Sequence, residues 1–252
     1  ILRLVGLGNT EVEIKTCMST TDNLRFLRQW HEVEISNTNL EATCFDDVAV
    51  SPCDWYPFNK GGGYRKWYGN HEYLVLWGNN GDAIRAYIAE RPEKQVGGRI
   101  VNTDYFFRSC LSWGEITSSI QSFRLIPQGF VMGNKGPGIF SENIDFNLLA
   151  YLNSPITTDI LRILNPSLST GVGDISRLPY ERSWGQEIAD DVCALVNWAR
   201  SDWDAYERSW DYQSLPLLSA STDPNRTLES SYFAWIANNK QTIAEMKRLE
   251  EE

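Results

Sequence analysis

Histidine is scarce in this sequence: among 252 residues only His31 and His71 occur. Neither has a partner at ligand spacing, which argues against a histidine-built metal site. The five cysteines, Cys17, Cys44, Cys53, Cys110 and Cys193, form no C-x-x-C pair. Their odd number and scattered positions exclude a zinc ribbon and a disulfide framework and suit reduced thiols in a cytoplasm. No run of about 18 apolar residues exists, so neither a transmembrane helix nor a membrane partner is expected. The start, Ile1-Leu2-Arg3-Leu4-Val5-Gly6, lacks an initiator Met and the apolar core and cleavage site of a signal peptide. It reads as a piece of a longer chain.

Signatures of catalysis are also missing. Gly6-Leu7-Gly8 has no third glycine and opens no helical pattern, so it reads as a turn and not a dinucleotide or S-adenosylmethionine loop. Asn165-Pro166-Ser167 lacks the second proline and the aromatic of the N-P-P-[YFW] motif of amino-methyltransferases and reads as a helix stop. Glu13-Ile14-Lys15 fits the E-x-K half of a nuclease site, but only Glu11 precedes it as a candidate carboxylate. No G-x-S-x-G elbow supports a serine triad. The chain is therefore expected to be non-catalytic by itself, with no metal and no cofactor of its own.

Aromatic side chains and acid are abundant: 10 Trp, 11 Tyr and 10 Phe, with a net charge of -10. Taken whole, that charge argues against nucleic acid. Its distribution does not. Residues 55–140 hold 10 basic and 6 acidic groups, whereas residues 1–54 hold 4 and 9 and residues 181–252 hold 7 and 14. A phosphate-facing surface is thus possible only in the centre.

The hydrophobic periodicity predicts an α+β fold: a twisted mixed or antiparallel sheet with packed helices, then a long-helix C-terminal segment. Short strands are expected at 2–5, 12–14, 73–77, 99–102, 105–107 and 139–140. Phe123–Ile126 and Phe130–Met132, separated by Pro127-Gln128-Gly129, predict a hairpin. Residues 23–33 read as helical or extended, and 36–53 as turn-rich. Asp82 is the expected N-cap of a helix over 83–90. Helices are expected from about 143 to 152 and 156 to 164, and two long ones over about 185–209 and 226–250. The resulting division is an α+β domain at 1–180, whose β-rich part covers 1–142, and a helical C-terminal segment at 181–252.

The chemically richest stretch is Trp55 to Asn70. Gly61-Gly62-Gly63 is a mobile loop flanked by Lys60, Arg65 and Lys66 and followed by Trp67, Tyr68 and Asn70. Such a loop suits phosphate binding through backbone N–H groups and cations. Asn and Arg can pair with base edges in the major groove. The bland alternative, core aromatics with cations coating a loop, fits the same residues. A carbohydrate-binding module with exposed Trp67 and Trp77 is a rival from another class.

The run Trp55-Tyr56-Pro57-Phe58-Asn59-Lys60-Gly61-Gly62 with Arg65-Lys66-Trp67-Tyr68-Gly69-Asn70 resembles the PglX-like adenine-specific DNA methyltransferases of BREX phage-defence systems. The similarity continues through Thr21-Asp22-Asn23, Asn102-Thr103-Asp104-Tyr105-Phe106-Phe107-Arg108, Trp113, Phe123-Arg124, Asp202-Trp203-Asp204 and Ser209-Trp210-Asp211-Tyr212. Leu148–Leu152, Asn153-Ser154-Pro155 and Gly173-Asp174-Ile175 are more loosely similar to recognition domains of type I restriction specificity subunits. The resemblance implies a DNA target-recognition domain serving an N6-adenine methyltransferase of a restriction-modification or phage-defence system. The methyl donor, S-adenosylmethionine, would belong to a catalytic domain N-terminal to Ile1. Implied partners are double-stranded DNA, that methyltransferase domain, and other defence subunits or a phage inhibitor. Lys60, Arg65 and Lys66 are the expected phosphate contacts, and Asn70, Arg108 and Lys135 the groove candidates. The acidic tail is expected to dock on the catalytic domain or a partner. A protein-interaction module of a defence complex remains the alternative.

Overall fold

A computed structural model describes residues 6–90, 99–181, 185–221, 223–224 and 226–251. In chain order the elements are β1 (Glu13–Lys15), α1 (Asn23–Phe26), β2 (Leu27–Gln29), α2 (Phe45–Val50), β3 (Trp55–Asn59), β4 (Trp67–Tyr68), β5 (Tyr73–Leu76), α3 (Gly78–Ala89) and β6 (Cys110–Trp113). There follow β7 (Phe123–Ile126), β8 (Val131–Met132), β9 (Gly138–Phe140), α4 (Phe146–Asn153), α5 (Pro155–Leu164), α6 (Val172–Ser176), α7 (Gln186–Asp204), α8 (Pro216–Ser219) and α9 (Leu228–Glu251). The α+β class expected from sequence holds. Among the described residues, no helix is long and apolar enough to cross a membrane.

Two sheets form. One runs β1-β9-β6-β7-β4 and the other β2-β5-β3-β8. Most pairs are antiparallel, while β3 with β8 and β4 with β7 are parallel. Period-2 alternation assigns each face of the five-stranded sheet to a different core. Leu111, Trp113, Phe123 and Ile139 pack with α4, α5, α6 and α7. Cys110, Ile126 and Phe140 share the other cluster with Tyr56, Phe58, Val75 and Val131 of the second sheet. The molecule is therefore layered as sheet, sheet, helices. Pro57 is tolerated inside β3 because it pairs only with Leu74 of β5, and β8 joins further along at Phe58 and Asn59.

The helices begin where polar caps allow. Asp145 accepts the Leu148 N–H at 3.0 Å, and Ser154 accepts that of Thr157 at 3.2 Å with Pro155 in the first turn of α5. Asn165 closes α5 and donates to the Ser169 carbonyl at 2.8 Å, so Asn165-Pro166-Ser167 is a helix stop. In α7, Val192, Leu195, Val196, Ala199 and Trp203 form one buried stripe. This stripe belongs to the same core as the five-stranded sheet.

Several local expectations are corrected. Phe123–Ile126 and Val131–Met132 are not a hairpin: β7 and β8 lie in different sheets. Gly129, at φ 108°, turns the chain from one sheet to the other and donates to the Phe107 carbonyl. No strand spans 99–102 or 105–107. Asn102 is left-handed at φ 54°, Thr103–Tyr105 is one 3-10 turn, and Phe107 is at φ 64°. The stretch at 36–53 contains α2. Left-handed Asn79, Asn80 and Gly81 interrupt α3, and regular helical backbone runs from Asp82, where the cap was expected. The strand expected at 2–5 lies outside the described residues.

Candidate nucleic-acid interface

The chain crosses between the sheets through the glycine loop, from β3 in one to β4 in the other. The loop's shape is fixed by buried polar side chains. Asn59, at the end of β3, is 2% exposed. Its amide donates to Ser112 Oγ at 2.7 Å and to the Gly136 carbonyl at 3.1 Å, and its Oδ1 accepts the Gly61 N–H at 3.2 Å. A Cβ on Gly61 would lie 2.2 Å from the Lys135 carbonyl, so loops 60–66 and 133–137 meet backbone to backbone.

Arg124 completes the loop from inside. It is fully buried, and its guanidinium donates to the carbonyls of Gly61 at 3.1 Å, Arg65 at 3.1 Å and Gly63 at 3.4 Å. Burial, reinforced by Arg65, lowers its pKa to about 10, which leaves it cationic at neutral pH. Sequence reading missed this role. The available signal was an arginine at an inward position of the apolar strand Phe-Arg-Leu-Ile, which demands buried acceptors.

The six candidate side chains have different surroundings. Lys60 sits over the Tyr73 ring, with Nζ 3.9 Å from the centroid. Among the described residues no carboxylate pairs with it. Arg65 pairs with Asp202 of α7 at 2.7 Å, donates to the Tyr68 carbonyl at 3.0 Å and stacks over Trp203 at 4.9 Å. Lys66 pairs with Glu250 near the end of α9 at 3.0 Å, and the Trp67 indole N–H reaches the other Glu250 oxygen at 2.7 Å. Asn70, at φ 63°, donates to the Gly63 carbonyl at 3.0 Å and so staples the loop. Lys135 is exposed and pairs with Glu115 at 3.1 Å. Arg108 lies apart from the glycine loop, exposed over the rings of Tyr105 and Phe140. The structure thus gathers Lys60, Arg65, Lys66, Asn70 and Lys135 around two touching loops and leaves Arg108 at a separate place.

The acidic tail does not hang free. Met246 and Leu249 of α9 pack against the helical core, and Glu250 closes on Lys66 and Trp67. Glutamates at a helix C-terminus oppose the macrodipole, and Lys66 offsets that. A cavity of about 830 Å³ opens between α5, α7 and this end of α9, lined by Lys66, Trp67, Arg162, Ile188, Val192 and Leu249.

Behind the loop, His71 is 3% exposed and ringed by Tyr68, Phe130, Trp203 and Trp210. Burial, with Arg124, Arg200 and Arg65 nearby, pushes its pKa down to about 3. It is a neutral packing residue at physiological pH. Trp67 and Trp77 are 5% and 0% exposed, so neither offers a sugar-stacking face. Among the described residues no cluster of His, Cys, Asp and Glu could hold a metal.

No family model matches the chain. It is 30% identical over 239 residues to the adenine-specific methyltransferase PglX of Lacticaseibacillus casei (strain Zhang), covering 93% of this chain and 20% of that protein. It is 28% identical over 221 residues to the adenine-specific methyltransferase BrxX of Escherichia coli O9:H4 (strain HS), covering 86% of this chain and 17% of that protein. Among solved structures, the Type IIL restriction-modification enzyme MmeI in complex with DNA matches with a TM-score of 0.43 at 12% identity, over 99% of this chain and 34% of that one. The chain spans about a fifth of the length of the curated relatives it matches. Over nearly its whole length, then, this protein is related in sequence to one segment of the PglX and BrxX adenine-specific methyltransferases.

Proposed function

We propose that this chain is a DNA target-recognition segment serving an adenine-specific methyltransferase of a BREX or restriction-modification system. The observation that carries this reading is its relation, across 93% of its length, to part of a protein named for adenine-specific methylation. Such an enzyme must extrude its target base and therefore needs a surface that holds the duplex in register. The glycine loop between the sheets offers that chemistry, with Lys60, which has no carboxylate partner among the described residues, and three glycines in a frame fixed by Asn59 and Arg124. Methyl transfer and S-adenosylmethionine binding would belong to other parts of a longer enzyme. Lys60 is the foremost phosphate contact in this reading. Arg65, Lys66 and Lys135 reach phosphate only by exchanging their carboxylate partners, and Asn70 acts through the loop.

The test is duplex binding by the full parent enzyme as salt is raised. About three phosphate contacts give a slope near -2.7 in log K against log salt. Alanine at Lys60, Arg65 and Lys66 together should flatten that slope, and an unchanged slope removes them from the interface.

A second reading, a protein-docking role, is favoured by one observation. Leu228, Tyr232, Phe233 and Ile243 of α9 are 71%, 47%, 61% and 65% exposed. Apolar residues along one long helix suit a protein partner, such as the catalytic domain or another defence subunit. Loss of complex assembly with intact DNA binding, after polar substitution of these four, supports that role for α9.

A further inference from the structure

The carbonyls of Gly61, Gly63 and Arg65 all face one buried guanidinium. A trans peptide is planar, with its N–H opposite its C=O. The N–H groups of Gly62 and Tyr64, which share peptides with the first two carbonyls, therefore point away from Arg124. Gly62, Gly63 and Tyr64 are exposed. Among the described residues, the Gly62 and Tyr64 N–H groups meet no acceptor. Gly61 and Gly62 are both at positive φ, 85° and 106°, before Gly63 returns to the ordinary region. A turn that presents backbone N–H groups to one side forms a concave anion-binding nest. Among the described residues, nothing lies within 4 Å of a Cβ built on Gly63, leaving space above the loop. Lys60, without a carboxylate partner among the described residues, stands two residues before Gly62 in the chain, with its ammonium over the Tyr73 ring.

From this geometry we infer that the Gly62 and Tyr64 backbone N–H groups form a preshaped seat for one phosphodiester oxygen, and that Arg124 is its positioning residue. Arg124 never meets the ligand. It draws the carbonyls inward so that the N–H groups face outward, and among the described residues no carboxylate pairs with it to cancel its field at the loop. Asn70 adds a second inward pull on the Gly63 carbonyl. The inference rests on the DNA-recognition reading and adds to it a main-chain contact that carries no base information.

The experiment is amide NMR on the 252-residue chain, titrated in parallel with a short DNA duplex and with inorganic phosphate. The Gly62 and Tyr64 resonances should shift with the duplex at concentrations where inorganic phosphate leaves them unmoved. Arg124→Lys keeps the charge but cannot fork to three carbonyls. It should weaken duplex binding about tenfold, the worth of one charge-assisted hydrogen bond, with the remaining spectrum native-like. Because a buried arginine can be needed for folding, Asn70→Gly serves as the second variant. Glycine accepts the left-handed backbone, so only the side-chain staple is lost, and binding should fall severalfold with broadened Gly62 and Tyr64 signals. Duplex-induced shifts elsewhere, with these two amides still, overturn the seat and leave DNA recognition standing. An equal response to inorganic phosphate assigns a free anion and overturns the phosphodiester seat. No duplex-induced shift anywhere overturns the recognition reading itself, and the seat with it.

Discussion

Lys60 and Lys66 flank the same three glycines, yet they stand in different electrostatic settings. Lys60 rests on the Tyr73 ring without a carboxylate partner among the described residues. Arg65 and Lys66 are tied to Asp202 of α7 and Glu250 of α9. One flank of the loop is open to a ligand, and the other fastens the helical segment to the sheets. Cations close together in sequence are thus not equivalent in availability. The net charge of residues 55–140 overstates what the surface offers, because acid from residues 181–252 returns to cover part of it.

The largest test of the fastened flank is Trp203→Ala. Trp203 is 1% exposed, carries Arg65 on its face and touches Gly69. Its removal should cost about 3–5 kcal/mol in chemical denaturation. A loss below about 1 kcal/mol would show that α7 is not anchored there. Next comes acid. Burial holds the His71 pKa at about 3 against an ordinary 6.5, so the unfolded chain takes the proton first. Its contribution is fully present above pH 6.5 and declines by roughly 1.4 kcal/mol per unit as pH falls toward 3. His71→Phe should flatten that part of the pH–stability curve, and an unchanged slope would contradict the neutral assignment.

Smaller effects separate the two lysines. Lys60→Ala should lower the magnitude of the salt slope of duplex binding by about 0.9 with little change in stability. Lys66→Ala should change the slope less and instead raise hydrogen exchange over residues 247–251. Identical behaviour of the two variants would erase the distinction between the flanks. The smallest effect is expected of Glu250→Gln, which removes the charge and keeps an acceptor for the Trp67 indole. Its stability cost should stay within about 1 kcal/mol, as for a partly exposed ion pair. Duplex affinity should rise slightly as Lys66 is released.

Much of the fold was legible in the sequence because period and caps are local. The stripe from Val192 to Trp203 announced α7, and Tyr73–Leu76 announced β5. The hairpin at 123–132 misled because Pro-Gln-Gly between two apolar runs has the same local appearance whether the strands pair or part. Only the long-range registers, β8 with β3 and β7 with β4, decide between them. The strands expected at 99–107 failed for a related reason. Their apolar residues are buried, but left-handed Asn102 and Phe107 break the backbone. At the candidate site, composition exposed the cations and glycines. It could not show that Asp202 and Glu250, more than 130 residues away in sequence, neutralise Arg65 and Lys66. Nor could it show that Arg124 points into the loop.

The weave of the two sheets carries a kinetic consequence. The chain starts in one sheet with β1, passes to the other for β2 and β3, leaves it at β4, returns for β5, and crosses again at β6, β8 and β9. Neither sheet is built from an unbroken run of consecutive strands. Every productive nucleus must close long loops before its pairings are rewarded. Refolding from denaturant should therefore be slow for a chain of this size, and both sheets should appear in one concerted phase. Fragments divided at Gly62 should gain their structure only when mixed.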